Sequence, residues 1–204
     1  GIWELFKDPE DPSKGRITSC ISGWTCYTIN QVKINEYGLG DLYTNFDPGS
    51  GGALDAAIAG AFAKGQPLVS YYWTPTSLMG KPEIDMVRLT EPGYDKQCWD
   101  DMMVVVNKIK ADGLEAYTPS CACEYKDMAL TKLATGKFAA AHPEIIEFAN
   151  AYTISTADVN AMLAYYVDIS GGDMEATAMH YLETYSDWES WVSADVAAKV
   201  KSAL

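Results

Sequence analysis

The sequence predicts an α/β fold, and three observations in its first half indicate this class. Short runs rich in β-branched and aromatic residues are separated by longer runs with a helical pattern. The helical runs carry capping residues at their ends. The order strand, helix, strand, helix, strand is typical of a mostly parallel sheet covered by helices. With 204 residues, 48% of them hydrophobic, the chain can bury a core of this kind.

Four strands and two helices are predicted in the first half of the chain. The strands are, in order, GRITSC, DLYTNFD, PLVSYYW and IDMVRL. The first helix lies in CYTINQVKINEYG and is closed by Gly38, because glycine readily adopts the left-handed conformation that ends many helices. The second helix lies in PGSGGALDAAIAGAFAKG, with Ser50 as a candidate N-cap and Gly65 just past its end.

The second half of the chain is predicted to be mostly helical. CWDDMMVVVNKIKADG fits either a helix or a strand, and YKDMALTKLATG is a candidate for one further strand. Later helices are predicted in HPEIIEFANAY, STADVNAMLAYYVDISGG, DMEATAMHYLETYSDWESWV and SADVAAKVKSAL. Their ends are marked by Pro143, Ser155 with Asp158, and Gly171 with Gly172. The best domain boundary lies near residues 90–95, where proline and glycine follow the last predicted strand.

The charge of the chain restricts its partners. Its net charge is −13, from 28 acidic and 15 basic residues, which argues against nucleic acid as a partner. This charge fits a protein that meets neutral or cationic small molecules, although it also serves solubility alone. The sequence has no apolar run of about 18 residues, so no membrane-spanning helix is predicted. The start, GIWELFKDPEDPSKG, does not resemble a signal peptide, which is compatible with a processed or truncated start.

The cysteines and histidines predict neither a metal site nor a catalytic triad. Cys20 and Cys26 enclose a loop of five residues that can close as a disulfide. The CAC motif of Cys121 and Cys123 does not form a zinc pattern with the two histidines. The chain contains no G-x-S-x-G motif. We therefore expect no metal, no cofactor and no enzymatic activity.

Aromatic residues are the most informative group in the sequence. Trp24 lies at a strand-to-helix turn, and Tyr71, Tyr72 and Trp73 lie at the carboxyl end of a predicted strand. Ligands of open α/β sheets bind outside the carboxyl ends of the strands. Aromatic faces attract cations, and aromatic cages select quaternary ammonium groups. The alternative is that both tryptophans pack in the core, where large aromatic side chains are usually found.

The residues after Trp24 open a helix and provide a second chemical feature. The amides of Thr25 and Cys26 have no partner within the helix and lie at the positive end of its dipole. They can bind a carboxylate or an N-oxide oxygen. A zwitterion with a trimethylammonium head and an anionic tail would use both the indole faces and these amides. Every helix has such amides, so this feature has little weight by itself.

Two specific motifs, C-x-x-G-W-x-C and Y-Y-W-x-P-T, occur at a suitable distance from each other. They lie within the longer stretches FKDPEDPSKGRITSCISGWTC and NFDPGSGGALDAAIAGAFAKGQPLVSYYWTPTSLMGK. Further stretches, MVRLTEPGYDKQCWD and the region from HPEIIEFANAYTISTADVNAML to DWESWV, extend the match over nearly the whole chain. On these residues the sequence resembles the substrate-binding proteins of ABC importers for glycine betaine and related osmolytes.

The resemblance implies a type II periplasmic binding fold, in which two α/β lobes close on a ligand. Residues 1–92 are then one complete α/β lobe, which carries the ligand loop and the aromatic strand end. Residues 93–204 are the mostly helical, C-terminal part of the second lobe. The family normally has a further segment before GIWELF, so we expect another polypeptide, either that segment or a second copy of the chain, to complete this lobe.

The resemblance also implies roles for individual residues. Trp24 and Trp73 correspond to two walls of an aromatic box, and the amides of Thr25 and Cys26 correspond to the carboxylate anchor. Gly23 and Tyr72 are further ligand-binding candidates.

The implied disulfides are Cys20–Cys26 and Cys98–Cys121, while Cys123 has no evident partner. The implied function is capture of glycine betaine, or next trimethylamine N-oxide, outside the cytoplasm for delivery to a membrane permease. The alternatives are an α/β enzyme acting on a choline-like substrate and a sensor domain that uses the same cleft.

Overall fold

The computed structural model describes residues 1–204, which form two compact units. Unit 1 comprises Gly1–Trp73 and Met86–Asp127, and unit 2 comprises Thr74–Asp85 and Met128–Leu204. None of the helices combines the length and the apolar character needed to cross a membrane.

Unit 1 contains a parallel sheet of three strands. The strands are β1 (Gly15–Thr18), β2 (Tyr43–Phe46) and β3 (Val69–Ser70), in the order β2-β1-β3. Ile17 of the central strand pairs with Asn45 on one side and with Val69 on the other. The predicted parallel α/β layer is therefore confirmed.

Unit 1 contains three α-helices, and the caps predicted at Ser50 and Gly65 are present. The helices are α1 (Thr25–Glu36), α2 (Gly51–Lys64) and α3 (Lys96–Asp112). Short 3₁₀ helices at Ile2–Phe6 and Leu114–Ala116 complete the unit. The Ser50 hydroxyl caps α2 by accepting the amide of Ala53 at 3.1 Å, and Gly65 ends it with a φ of 61°. The Asp95 carboxylate caps α3 in the same way, by accepting the amide of Cys98 at 2.8 Å.

The core of unit 1 lies between α1 and α3. Its buried members, which share one apolar cluster, are Ile29, Val32, Met102, Val105, Val106 and Ile109. The four members from α3 follow the spacing i, i+3, i+4, i+7, which places them on one face of a helix. This burial resolves the ambiguity of CWDDMMVVVNKIKADG in favour of a helix.

All the secondary-structure elements of unit 2 are helices. Its helices are α4 (Gly136–Ala141), α5 (Pro143–Ala151), α6 (Thr156–Ala164), α7 (Met174–Thr184) and α8 (Ala194–Lys201). A π-helical turn at Tyr165–Ile169 follows α6, and 3₁₀ helices occupy Leu78–Gly80 and Asp187–Trp191. Pro143 is the first residue of α5, and the Ser155 hydroxyl accepts the amide of Asp158, as predicted. The small core contains Tyr181, Trp188 and Ala197.

Two predicted strands are wrong and a third is shorter than expected. IDMVRL and YKDMALTKLATG form no strand, and Val87 and Leu130 are more than four-fifths exposed. A strand needs a neighbouring strand to satisfy its backbone, and neither segment pairs with one. PLVSYYW contributes only the two residues of β3, which lie opposite Ile17 and Thr18 of β1.

The compact units do not divide at the boundary predicted near residues 90–95. Residues 86–127 belong to unit 1 because α3 packs its apolar face on α1. The segment 74–85 instead belongs to unit 2, where Gly80 lies so close to the Asn160 carbonyl that a Cβ would be 2.0 Å from its oxygen. The assignment of residues 1–92 and 93–204 to two lobes stays a prediction.

Candidate functional site

The carboxyl ends of β1 and β3 bring the two predicted aromatic segments together. Thr18, the last residue of β1, pairs with Ser70 of β3. The Tyr71 amide continues this pairing by donating to the Thr18 carbonyl oxygen at 2.8 Å. Because the strands are parallel, the loop containing Trp24 and the segment ending in Trp73 leave the same edge of the sheet.

The loop from β1 to α1 is closed by a disulfide. Cys20 and Cys26 are bonded, with their Cα atoms 5.8 Å apart. The second disulfide implied by the resemblance, Cys98–Cys121, is also present, with a Cα separation of 5.7 Å. Cys123 is a buried free thiol. Both disulfides lie in unit 1.

Asp47 holds the middle of this loop from the end of β2. Its carboxylate accepts the amide of Ser22 at 3.1 Å and the amide of Gly49 at 2.7 Å. Burial acts to raise the pKa of Asp47, but these hydrogen bonds outweigh it and hold the pKa below its usual value. Gly23 follows with a φ of 92°, a conformation that side chains rarely adopt, so the turn that presents Trp24 requires glycine.

The two indoles form a corner. The ring centroids of Trp24 and Trp73 are 5.8 Å apart and the rings are inclined by 62°. Trp24 is 47% exposed, so the alternative that both tryptophans pack in the core is wrong for this residue. A cation bound to an aromatic face lies within about 6 Å of the ring centroid. The edge-to-face contact brings the two rings together, and their role as walls of an aromatic box stays a prediction.

Tyr72 and Tyr71 support Trp73 at the strand end. The Tyr72 ring lies 4.8 Å from the Trp73 ring, and its hydroxyl donates to Asp55 at 2.6 Å. The Tyr71 ring lies 6.2 Å from Trp73, and burial raises the pKa of Tyr71. Both tyrosine rings therefore contact the Trp73 indole.

The first turn of α1 lies directly beside Trp24. Trp24 is the N-cap residue and gives no side-chain cap, so the amides of Thr25 and Cys26 have no capping partner. The Lys110 ammonium donates to the Thr25 hydroxyl at 2.9 Å. The helix dipole and this ammonium place two positive features at the start of α1.

The structure adds residues that the sequence did not identify as part of the site. They are Asp47 and Lys110, with the contacts given above, and Tyr125, whose hydroxyl donates to Asn30 of α1 at 2.7 Å. Lys110 and Tyr125 lie on segments that were expected to belong to another lobe, and no motif marks them. The two histidines, His142 and His180, lie in unit 2. No three side chains among His, Cys, Asp and Glu converge as a metal site.

Comparison with known proteins identifies relatives of this chain. The chain is 30% identical to the trimethylamine N-oxide-binding protein of Pelagibacter ubique over 142 residues, 66% of this chain and 45% of that protein. It is 33% identical to the glycine betaine-binding periplasmic protein OusX of Dickeya dadantii over 72 residues, 35% of this chain and 21% of that protein. The chain thus spans less than half the length of these relatives. Residues 3–184 match the OpuAC family model, and the chain therefore belongs to this family, the substrate binding domain of ABC-type glycine betaine transport systems.

Proposed function

We propose that this chain captures a small methylated amine for an ABC importer, with glycine betaine as the first candidate and trimethylamine N-oxide as the second. The observation that carries the proposal is the Trp24–Trp73 corner next to the uncapped first turn of α1. Family membership supports a substrate-binding role rather than an enzymatic one.

The indole corner suits the cationic end of such a ligand. A trimethylammonium group cannot donate hydrogen bonds, so a binding site recognises it through its charge and its apolar surface. Two indole faces inclined by 62° offer both features at once. Tyr72 and Gly23 contribute indirectly in this arrangement, since Tyr72 packs on Trp73 and Gly23 shapes the turn before Trp24.

The start of α1 suits the anionic end. The amides of Thr25 and Cys26 are free to donate to a carboxylate or to an N-oxide oxygen. Lys110 adds a full positive charge at the Thr25 hydroxyl. A carboxylate gains more from this charge than a neutral group, and this difference favours glycine betaine over choline.

A role in an importer implies a cellular location for this chain and two kinds of partner. Disulfides persist in oxidising compartments, so the two bridges of unit 1 support a periplasmic or extracellular location. A permease in the membrane would receive the ligand. Unit 2 exposes large apolar side chains, among them Leu130 and Leu133, and such surfaces are commonly covered by another polypeptide. We propose that a further segment of the protein or a second copy covers them.

Calorimetric titration tests this function. The complete protein is titrated with glycine betaine, trimethylamine N-oxide, proline betaine and choline. Trp24→Ala and Trp73→Ala should each weaken binding by several-fold to tens-fold, since a cation–π contact contributes roughly 0.5–2 kcal/mol. Trp3→Ala, in the first 3₁₀ helix, is the matched control and should bind as the parent does. Unchanged affinity in both site variants, with the fold intact, would contradict the proposal.

A further inference from the structure

We infer that Tyr125 is a positioning residue for the Trp24–Trp73 corner. Tyr125 lies on the irregular segment after Cys123, and its side chain packs against the core between α1 and α3. It contacts both structures that carry the indoles: its hydroxyl reaches the disulfide loop, and its ring reaches the strand end. The inference rests on the proposed function only where it concerns ligand affinity.

The hydroxyl of Tyr125 connects to both ends of the disulfide loop. It donates to Asn30 Oδ1 at 2.7 Å and lies 3.4 Å from the Cys26 carbonyl oxygen. The Asn30 amide group then donates to the Ser19 hydroxyl at 2.9 Å. Ser19 is fully buried and directly precedes Cys20. One phenol therefore anchors the residues at which the loop begins and ends.

The Tyr125 hydroxyl stays protonated, as this role requires. Burial is the largest cause that raises the pKa of Tyr125 far above its usual value, and Tyr71 and Glu91 add to the effect. A neutral phenol in these surroundings is a permanent hydrogen-bond donor to Asn30.

The ring of Tyr125 supports the other half of the corner. Its centroid lies 5.8 Å from that of Tyr71, whose ring in turn lies 6.2 Å from Trp73. The ammonium of the nearly buried Lys33 lies 4.4 Å from the centroid of the same ring, and the Trp99 ring lies 5.7 Å from it. Lys33 is itself held by the Glu91 carboxylate at 2.7 Å. These contacts restrict the Tyr125 ring, which also packs on Tyr71.

Two substitutions distinguish the role of the Tyr125 hydroxyl from that of its ring. Tyr125→Phe removes only the hydroxyl and should loosen the loop that carries Trp24. Tyr125→Leu removes the ring as well and should also loosen Tyr71 and Trp73. A graded loss of affinity, about three- to tenfold for Tyr125→Phe and more for Tyr125→Leu, is therefore expected with glycine betaine.

Tyr117→Phe is a matched control for the loss of a hydrogen bond to α1. The Tyr117 hydroxyl donates to Glu36 at 2.7 Å, at the opposite end of the same helix. Both Phe variants should lower the denaturation midpoint to a similar extent, because each removes one tyrosine hydroxyl bonded to α1. Only Tyr125→Phe should weaken ligand binding.

A spectroscopic measurement tests the relative position of the Trp24 and Trp73 indoles without any ligand. Two indoles this close couple electronically and give a couplet in the far-ultraviolet circular dichroism spectrum, which Trp73→Phe should abolish. The couplet should shrink in Tyr125→Phe and stay unchanged in Tyr117→Phe. An unchanged couplet in Tyr125→Phe, or equal affinity of the two Phe variants, overturns the inference. If the parent protein binds no ligand of the panel, the proposed function fails, and the couplet alone decides the role of Tyr125.

Discussion

Unit 1 and unit 2 differ in what holds them together. Unit 1 has a parallel sheet, two disulfides and the largest fully buried side chains, among them Leu54, Ile58 and Met102. Unit 2 has neither a sheet nor a disulfide, and its core cluster consists of Tyr181, Trp188 and Ala197. The candidate site lies in the unit with the greater number of covalent and buried constraints.

This difference indicates where rigidity serves the proposed function. A site that is ordered before binding loses less conformational entropy when the ligand arrives. The Cys20–Cys26 bridge, the Asp47 carboxylate and Tyr125 all restrict the short segment that presents Trp24. Unit 2, by contrast, depends on a small cluster around Tyr181 and Trp188, and exposed large apolar side chains occur in both units.

The largest expected effect concerns the core of unit 2. Trp188 is 4% exposed, and its indole donates to the Leu182 carbonyl oxygen at 3.0 Å. Trp188→Ala should lower the free energy of unfolding by about 3–5 kcal/mol, because it leaves a cavity in a small core. Hydrogen exchange should show lost protection in α7 and α8. Val196→Ala, at a 43% exposed position of α8, should change little, and retained protection of α7 in Trp188→Ala would refute this view of unit 2.

Removal of the disulfides should affect unit 1 next most strongly. The Cys98–Cys121 bridge spans 23 residues and the Cys20–Cys26 bridge spans 6. Replacing both cysteines of the longer loop by alanine should cost about 3 kcal/mol of unfolding free energy, and replacing those of the shorter loop about 2 kcal/mol. Denaturant titration measures both. The comparison between the units is wrong if a reducing agent lowers the protection of α7 as much as that of α1.

Acid should lower the free energy of unfolding of unit 1, because it protonates Asp8. Burial acts to raise the pKa of this carboxyl, but hydrogen bonds from the Arg16 guanidinium and the Glu10 backbone amide outweigh it and hold the pKa below its usual value. The resulting stability is present above the unfolded pKa of about 3.9 and is lost as the pH falls through the lower folded value.

Asp8→Asn isolates this contribution. Asp8 is nearly buried and its oxygen lies 2.5 Å from the Arg16 guanidinium, so the variant should lose about 2 kcal/mol at neutral pH. It should also show a flatter pH dependence below pH ~4. Unfolding curves of both proteins across this range provide the measurement, and parallel curves would exclude Asp8 as the cause.

The smallest expected effect concerns ligand charge. Lys110→Ala should weaken glycine betaine binding by about two- to fivefold, because an exposed charge near a helix terminus contributes a fraction of a kcal/mol to about 1 kcal/mol. Choline binding should stay unchanged, since choline has no anionic tail. Lys108→Ala removes the same charge two residues away and is the control. Equal losses for both ligands would show that Lys110 only supports the fold of the loop.

Local signals predicted much of unit 1 correctly. Ser50 and Gly65 mark the ends of α2 because caps satisfy backbone groups within a few residues. The strand-end rule placed Trp24 and Trp73 at one edge of the sheet, and their ring centroids lie 5.8 Å apart there. Their role in ligand binding stays a prediction. The strands predicted in IDMVRL and YKDMALTKLATG failed because pairing depends on a distant neighbour that a local pattern cannot reveal.

By itself, the sequence determined the family, the parallel α/β layer, many of the helix ends and the placement of Trp24 and Trp73 at one edge of the sheet. Each of these depends on short motifs or local periodicity. Only the tertiary structure decided that α3 packs on α1, and thereby brings Lys110 and Tyr125 to the start of α1. These contacts join residues 85 and 99 positions apart in the chain. Such contacts arise from the packing of complementary apolar faces, which no single segment of sequence encodes.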